Sequence, residues 1–305
     1  MADPKLPDPE NAPLEIDVEP PVAGRLAHWI EQTRAMRVRV ESARARHSSI
    51  DLGFGVLERD AVIGGGLLAG ALAYRLFVLL LPMALLLVSG VGLYADAADK
   101  SPGEAAKDAG LHGVVASQVA STASGGAGWI VFIVMVPAVV YALAKLYRAI
   151  AITHAIVWHG SGRGVQMTSK GVALLALAVL TNLTAAQIVG VIRRHGELGG
   201  LTALLVYLVL VGAAWLAVSM ELPHGGVEWT ALLPGALLVG AGLLLINVFN
   251  VYVTTRLVED RANTYGALGI AAALLFSLVL VGRLIVVSAE LNASLVERRD
   301  ARLQP

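Results

Sequence analysis

Four basic side chains and one acid stand inside long apolar runs: Arg75 in GALAYRLFVLLLP (70–82), Lys145 and Arg148 in YALAKLYRAI (141–150), and Arg283 with Glu290 in VGRLIVVSAE (281–290). Guanidinium and ammonium groups bind anions through charge-assisted hydrogen bonds, and the planar guanidinium fork matches phosphate and carboxylate. An arginine near the middle of a membrane helix costs on the order of 2.5–3.5 kcal/mol, so these groups are expected to face a polar interior rather than lipid. Arg283 and Glu290 are seven apart, two helical turns on one face, and Lys145 and Arg148 share a face through i, i+3 spacing. Four bases against one acid leave a surplus of three positive charges. The chemistry this points to is capture of an anionic headgroup, with Arg75, Lys145, Arg148 and Arg283 as its ligands and Glu290 orienting Arg283. A plainer reading stays open, in which Lys145 and Arg148 reach to the membrane surface, Arg283 pairs with Glu290 and Arg75 caps a carbonyl.

Such positions need helices that cross a bilayer. Of the 305 residues, 56% are hydrophobic and 15% charged, with a mean hydropathy of +0.70, well above the apolar share of a soluble domain. Runs of eighteen or more apolar residues recur, each able to cross about 30 Å of hydrocarbon at about 1.5 Å per residue. The short alternating segments of a membrane barrel are absent. The expected fold is therefore all-α, a polytopic integral membrane protein with six transmembrane helices, preceded by a cytoplasmic amphipathic helix. The spans are placed at 64–93, 129–151, 171–192, 201–220, 230–253 and 266–292, and Pro82 is expected to kink the first and act as a hinge.

Four segments follow from composition: a disordered, acidic, Pro-rich tail at 1–24, a basic amphipathic segment at 25–63, the six-helix domain at 64–295 and a cytoplasmic tail at 296–305. The stretch RLAHWIEQTRAMRVRVESARARH (25–47) alone holds six arginines. Basic residues concentrate before the first span and after the last, which places both termini in the cytoplasm. Between the first two spans, Leu111, Val114, Val115, Gln118 and Val119 recur at helical spacing, as in a short amphipathic helix resting on the outer face.

Neutral amides, Asn182, Gln187, Asn247 and Asn250, fall in the outer half of the third and fifth spans. They suit hydrogen bonds between helices, or the lining of a polar path outward from the basic cavity. Gly66 and Gly70 form a GxxxG, and Gly235, Gly240 and Gly242 punctuate the fifth span, where close helix packing accounts for them.

Other chemistries lack their residues. There is no cysteine and no GxxxxGK[ST], HGSGRG (159–164) lacks the context of a dinucleotide loop, and the seven histidines are scattered without an HExxH. No cofactor, metal or catalysis is expected, and the basic stretch at 25–47, with the single aromatic Trp29, gives no reason to expect nucleic acid.

ALAY (71–74) followed by an apolar run to Pro82, together with YGALGIAAALLFSLVLVGRLIVVSAELNA (265–293) closing in AELNA, resembles the signatures of the YihY/BrkB family of six-span bacterial inner-membrane proteins. The resemblance extends over about 50–295, and Arg75 departs from it where the family more often has an uncharged residue. The older family label, ribonuclease BN, finds no supporting residues here. The resemblance implies a bacterial inner-membrane location and a link to serum resistance and envelope lipid processes. With the charge placement, it leads to the expectation of a transporter-like protein that binds and moves or partitions an anionic amphiphile, a lipid, through a basic cavity in the cytoplasmic half. The alternative is a non-transporting scaffold for envelope assembly, whose partners would be envelope proteins or a second copy of the chain.

Overall fold

In a computed structural model of the chain, the described residues are 44, 46, 48–108, 128–192, 197–249 and 255–303. The tail at 1–24, nearly all of the basic stretch at 25–47, the amphipathic helix expected around 111–119 and Asn250 lie outside them, as does the side chain of Gln187. Among the described residues there are eight helices and no strand: α1 (Ser48–Ile63), α2 (Gly65–Ala97), α3 (Pro102–Asp108), α4 (Gly128–His159), α5 (Ser169–Ile192), α6 (Glu197–Glu221), α7 (Trp229–Phe249) and α8 (Thr255–Leu303). Five are long and apolar enough to cross a membrane, namely α2, α4, Gly200–Glu221 of α6, α7 and Ala271–Leu303 of α8, while Ser169–Ala185 of α5 is apolar but shorter. The chain divides into two units, Met1–Phe54 and Gly55–Pro305. In the first, Arg44 donates to Asp51 over 3.0 Å and its guanidinium lies 5.3 Å from the Phe54 ring.

The second unit is a ring of helices. α2 packs against α4 and α8, α8 against α7, α7 against α6, α6 against α5, and α5 lightly against α4. Local sequence sets the corners. Gly64, with φ of 69°, adopts the left-handed conformation that a Cβ disfavours, which lets the chain turn sharply from α1 into α2. Gly225 and Gly226 do the same between α6 and α7, with φ of 67° and 73°. Ser101 and Glu104 close a reciprocal capping box on α3, whose Ala105 and Ala106 are buried against Val91 and Ala95 of α2.

The core joins Leu72 and Leu79 of α2, Leu146, Tyr147 and Ile150 of α4, Trp215 and Val218 of α6, Val239 of α7 and Val286 of α8. Tyr147 donates its hydroxyl to the Glu221 carbonyl (3.1 Å), and its ring fills the space left by the missing side chain of Gly171. α2 continues as helix through Pro82, as α4 does through Pro137 and α7 through Pro234.

Glycine packing differs from the sequence reading in one respect. A Cβ at Gly66 or Gly70 would meet nothing within 4 Å, so these two face away from the bundle. The close backbone approaches fall at Gly235, where a Cβ would lie 2.6 Å from the Ser288 carbonyl, at Gly240, 3.2 Å from the Leu208 carbonyl, and at Gly282, 2.5 Å from the Ala69 carbonyl.

Candidate functional site

Two polar clusters and one apolar cavity divide the bundle. The first cluster lies at the basal end, where α2 begins against the C-terminal half of α8. Arg283 donates Nη1 and Nη2 to the two carboxylate oxygens of Asp60, at 2.5 and 2.7 Å, in a bidentate pair. Asp60 did not stand out in the sequence. The elbow at Gly64 turns the end of α1 back over the bundle, which carries Asp60 onto α8 in the place where Glu290 was expected. The pair holds the Asp60 carboxyl below the ordinary carboxylate range, since the hydrogen bond from Arg283 outweighs the opposing effect of burial.

Glu290 is buried with an exposure of 0%, and among the described residues neither of its carboxylate oxygens meets a hydrogen-bond donor. The Asp60 and Glu290 carboxyls converge on Gly65, where an added Cβ would overlap Asp60 Oδ1 and lie 3.1 Å from Glu290 Oε1. Next to them, Arg59 donates both Nη atoms to Glu297 (2.8 and 2.7 Å) and Nη2 to the Val157 carbonyl as well (3.0 Å). α1 is thus clasped to α8 twice and to α4 once. The available signal was Asp60 itself, an acid four residues before the glycine run at 64–66.

The remaining expected ligands do not join Arg283. Arg75 is exposed on α2, its guanidinium 5.8 Å from the neighbouring Tyr74 ring. Lys145 is half-buried with its ammonium 5.1 Å from the Tyr141 ring, and Arg148 is exposed. Lys145 and Arg148 do come together, in a surface depression of ≈ 380 Å³ shared with Tyr141, Ala144, Val165 and Met167. Among the described residues none of these three cations meets a carboxylate. The positive surplus therefore lies on the flank of the bundle, and the half-buried Arg283 is neutralised by Asp60.

What the interior holds instead is apolar space. A cavity of ≈ 480 Å³ opens among α2, α4, α5, α6, α7 and α8, walled by aliphatic side chains such as Leu79, Ile150, Leu175, Val239 and Leu278, with Trp215 among them. Asn182, Asn247 and Ser277 are its polar lining residues. The two amides are joined through a residue absent from the sequence reading: Tyr207 donates its hydroxyl to Asn182 Oδ1, and Asn247 Nδ2 donates to the Tyr207 oxygen, each at 2.7 Å. Three helices are tied by this chain of bonds. Tyr207→Phe removes both bonds at once and is expected to cost about 1 kcal/mol, since interhelical hydrogen bonds in membranes average about 0.6 kcal/mol each. Thermal unfolding of the purified chain checks it, and an unchanged midpoint would mean the bonds carry no net stability.

The family model described as virulence factor BrkB matches residues 63–305. No curated protein and no solved structure matches the chain.

Proposed function

The chain belongs to the virulence factor BrkB family, and from that premise we propose that it crosses a bacterial inner membrane six times, with both termini cytoplasmic, and binds an anionic amphiphile, a lipid, in order to move or partition it. The observation that carries this reading is the central cavity, bounded by all six long helices and almost wholly aliphatic. Such a space excludes ions and polar solutes, whose desolvation nothing there would offset, and accepts hydrocarbon. The ligand's chain would occupy it.

The headgroup falls to the flank. Lys145 and Arg148 lie 14 and 11 residues before the end of α4 at His159, about 21 and 17 Å along the helix. On the opposite face of that stretch, Leu146 and Ile150 line the cavity. Two cations that meet no carboxylate among the described residues, beside an aromatic ring, bind a phosphate-bearing headgroup by charge and hydrogen bonding. Arg75, about 15 Å from the start of α2, adds positive potential on the lipid-facing surface. Arg283 is left out of the headgroup site, because its fork is filled by Asp60.

Lipid co-purification and a reconstituted flipping assay test this. Lys145→Ala with Arg148→Ala is expected to lower retained anionic lipid about tenfold, the equivalent of ~1.4 kcal/mol, with zwitterionic lipid little changed. Ala178→Phe, which fills the cavity from α5, is expected to slow flipping without touching the cations. Unchanged anionic lipid in the first variant, or unchanged flipping in the second, overturns the reading. Absence of any flipping by the wild type, with stable capture of envelope proteins, would favour a scaffold instead.

A further inference from the structure

We propose that Asp60, Glu290 and Arg283 form a proton-binding site, in which one proton sits between the two carboxyl groups and its release loosens α1 from the C-terminal half of α8. The inference does not rest on the lipid reading. It rests on a buried acid with nothing to receive from: among the described residues both Glu290 oxygens are enclosed and meet no donor, while the Asp60 carboxylate beside them already accepts both arms of Arg283. The backbone is cleared for this meeting. A Cβ at Gly65 would overlap the Asp60 carboxylate and lie 3.1 Å from Glu290 Oε1, so glycine there is what allows the two acids to approach.

Charge accounting decides the state. Asp60 and Arg283 sum to zero, so the site is neutral when Glu290 carries a proton and holds one buried negative charge when it does not. Two carboxyl groups sharing an apolar site do not both ionise without a further cation. Among the described residues, the groups around Glu290 supply none. From α1 come Asp60 and Arg59, and Arg59 is committed to Glu297 and the Val157 carbonyl. From α8 itself comes Arg283. α2 contributes Gly65, and α7 packs the uncharged Leu232 and Gly235 on Asn292 of α8. α4 brings Val157 and Trp158 against Ala289 and Ala293, while its buried His154 has His224 as its electrostatic neighbour.

With the proton in place, Glu290 donates to Asp60 and the elbow at Gly64 stays closed. The proton leaves to water at the basal face, where the Asp60 side chain is 15% exposed. The charge left behind repels Asp60, and α1 is then held chiefly by the more exposed Arg59–Glu297 clasp.

The chain has no cysteine, so labels can be placed without background. Spin labels at Leu57→Cys on α1 and Asp300→Cys on α8 report the α1–α8 distance in the otherwise intact chain. The expected result is a single short distance from acidic to neutral pH that broadens and lengthens as pH becomes alkaline. In Glu290→Gln, whose amide can still donate to Asp60, the short distance persists at every pH. An identical pH response in wild type and Glu290→Gln overturns the proposal. Infrared spectroscopy of the wild type provides a second readout that needs no variant to fold. A protonated, hydrogen-bonded carboxyl band that vanishes as α1 loosens supports the site, and its absence at neutral pH overturns it. If sodium at fixed pH closes α1 in the wild type and not in Glu290→Gln, the ligand is a metal cation and the proton assignment is wrong.

Discussion

Asp60→Asn is expected to lower the stability of the full chain in detergent by about 2–3 kcal/mol, read as a drop in the thermal unfolding midpoint. The replacement keeps the shape of the side chain and removes its charge, so the Arg283 fork loses one acceptor and faces an amide donor in its place. Losing one partner of a fully buried pair typically costs about 3–5 kcal/mol, and the estimate is reduced here because the Arg283 side chain is 35% exposed and can draw on water. Asp60→Asn combined with Arg283→Gln is expected to recover part of the loss, since the stranded cation goes with its partner. Glu297→Gln supplies the contrast. It breaks the neighbouring clasp to Arg59, but Glu297 is 64% exposed, so less than about 1 kcal/mol is expected. If Asp60→Asn costs no more than Glu297→Gln, the interior pair is not what fastens α1 to the bundle.

Apolar run length in the sequence was enough to find the long helices, five of which are long and apolar enough to cross a membrane. The span expected at 129–151 is the interior of Gly128–His159, and the one at 201–220 is the interior of Glu197–Glu221. The ends were less legible. α8 runs on to Leu303 through ERRDARL, since polar residues prolong a helix beyond hydrocarbon without leaving a hydropathy signal. The site was legible only as residue types. Arg283 was read as a headgroup ligand oriented by Glu290, yet the carboxylate it meets lies 223 positions away and reaches it through one left-handed glycine. No spacing rule encodes that turn. Arg75 and Arg148 were assigned to the interior on the energetic cost of facing lipid, whereas the structure leaves both exposed, beside Tyr74 and beside the Lys145 depression. Glu290 was read as a helper of Arg283, and its burial without a donor appears only once Asp60 is in place.

Gly282→Ala is the second large effect expected, and it tests how the α2–α8 contact positions everything else. The added Cβ would lie 2.5 Å from the Ala69 carbonyl oxygen and 3.3 Å from the Ala73 nitrogen, both backbone atoms that no rotamer change can move aside. The helices must therefore part by about 0.5–1 Å, and overpacking of this kind costs about 1–3 kcal/mol. Ala69, Leu72 and Ala73, all buried at this crossing, lose contact together. The damage should not stop at stability. Arg283 is the next residue, and Val281, Leu284 and Ile285 on the same helix line the central cavity, so displacement of α8 disturbs the carboxylate cluster and the cavity wall at once. Gly66→Ala and Gly70→Ala belong in the same experiment, because a Cβ at either meets open space. Alanine is the better helix former by roughly 0.8–1 kcal/mol, so these two are expected to leave the unfolding midpoint unchanged or raise it. A loss in Gly70→Ala matching that in Gly282→Ala would mean that the outward face of α2 is covered by another surface, such as a second copy of the chain, and that the packing glycine had been assigned to the wrong side of the helix.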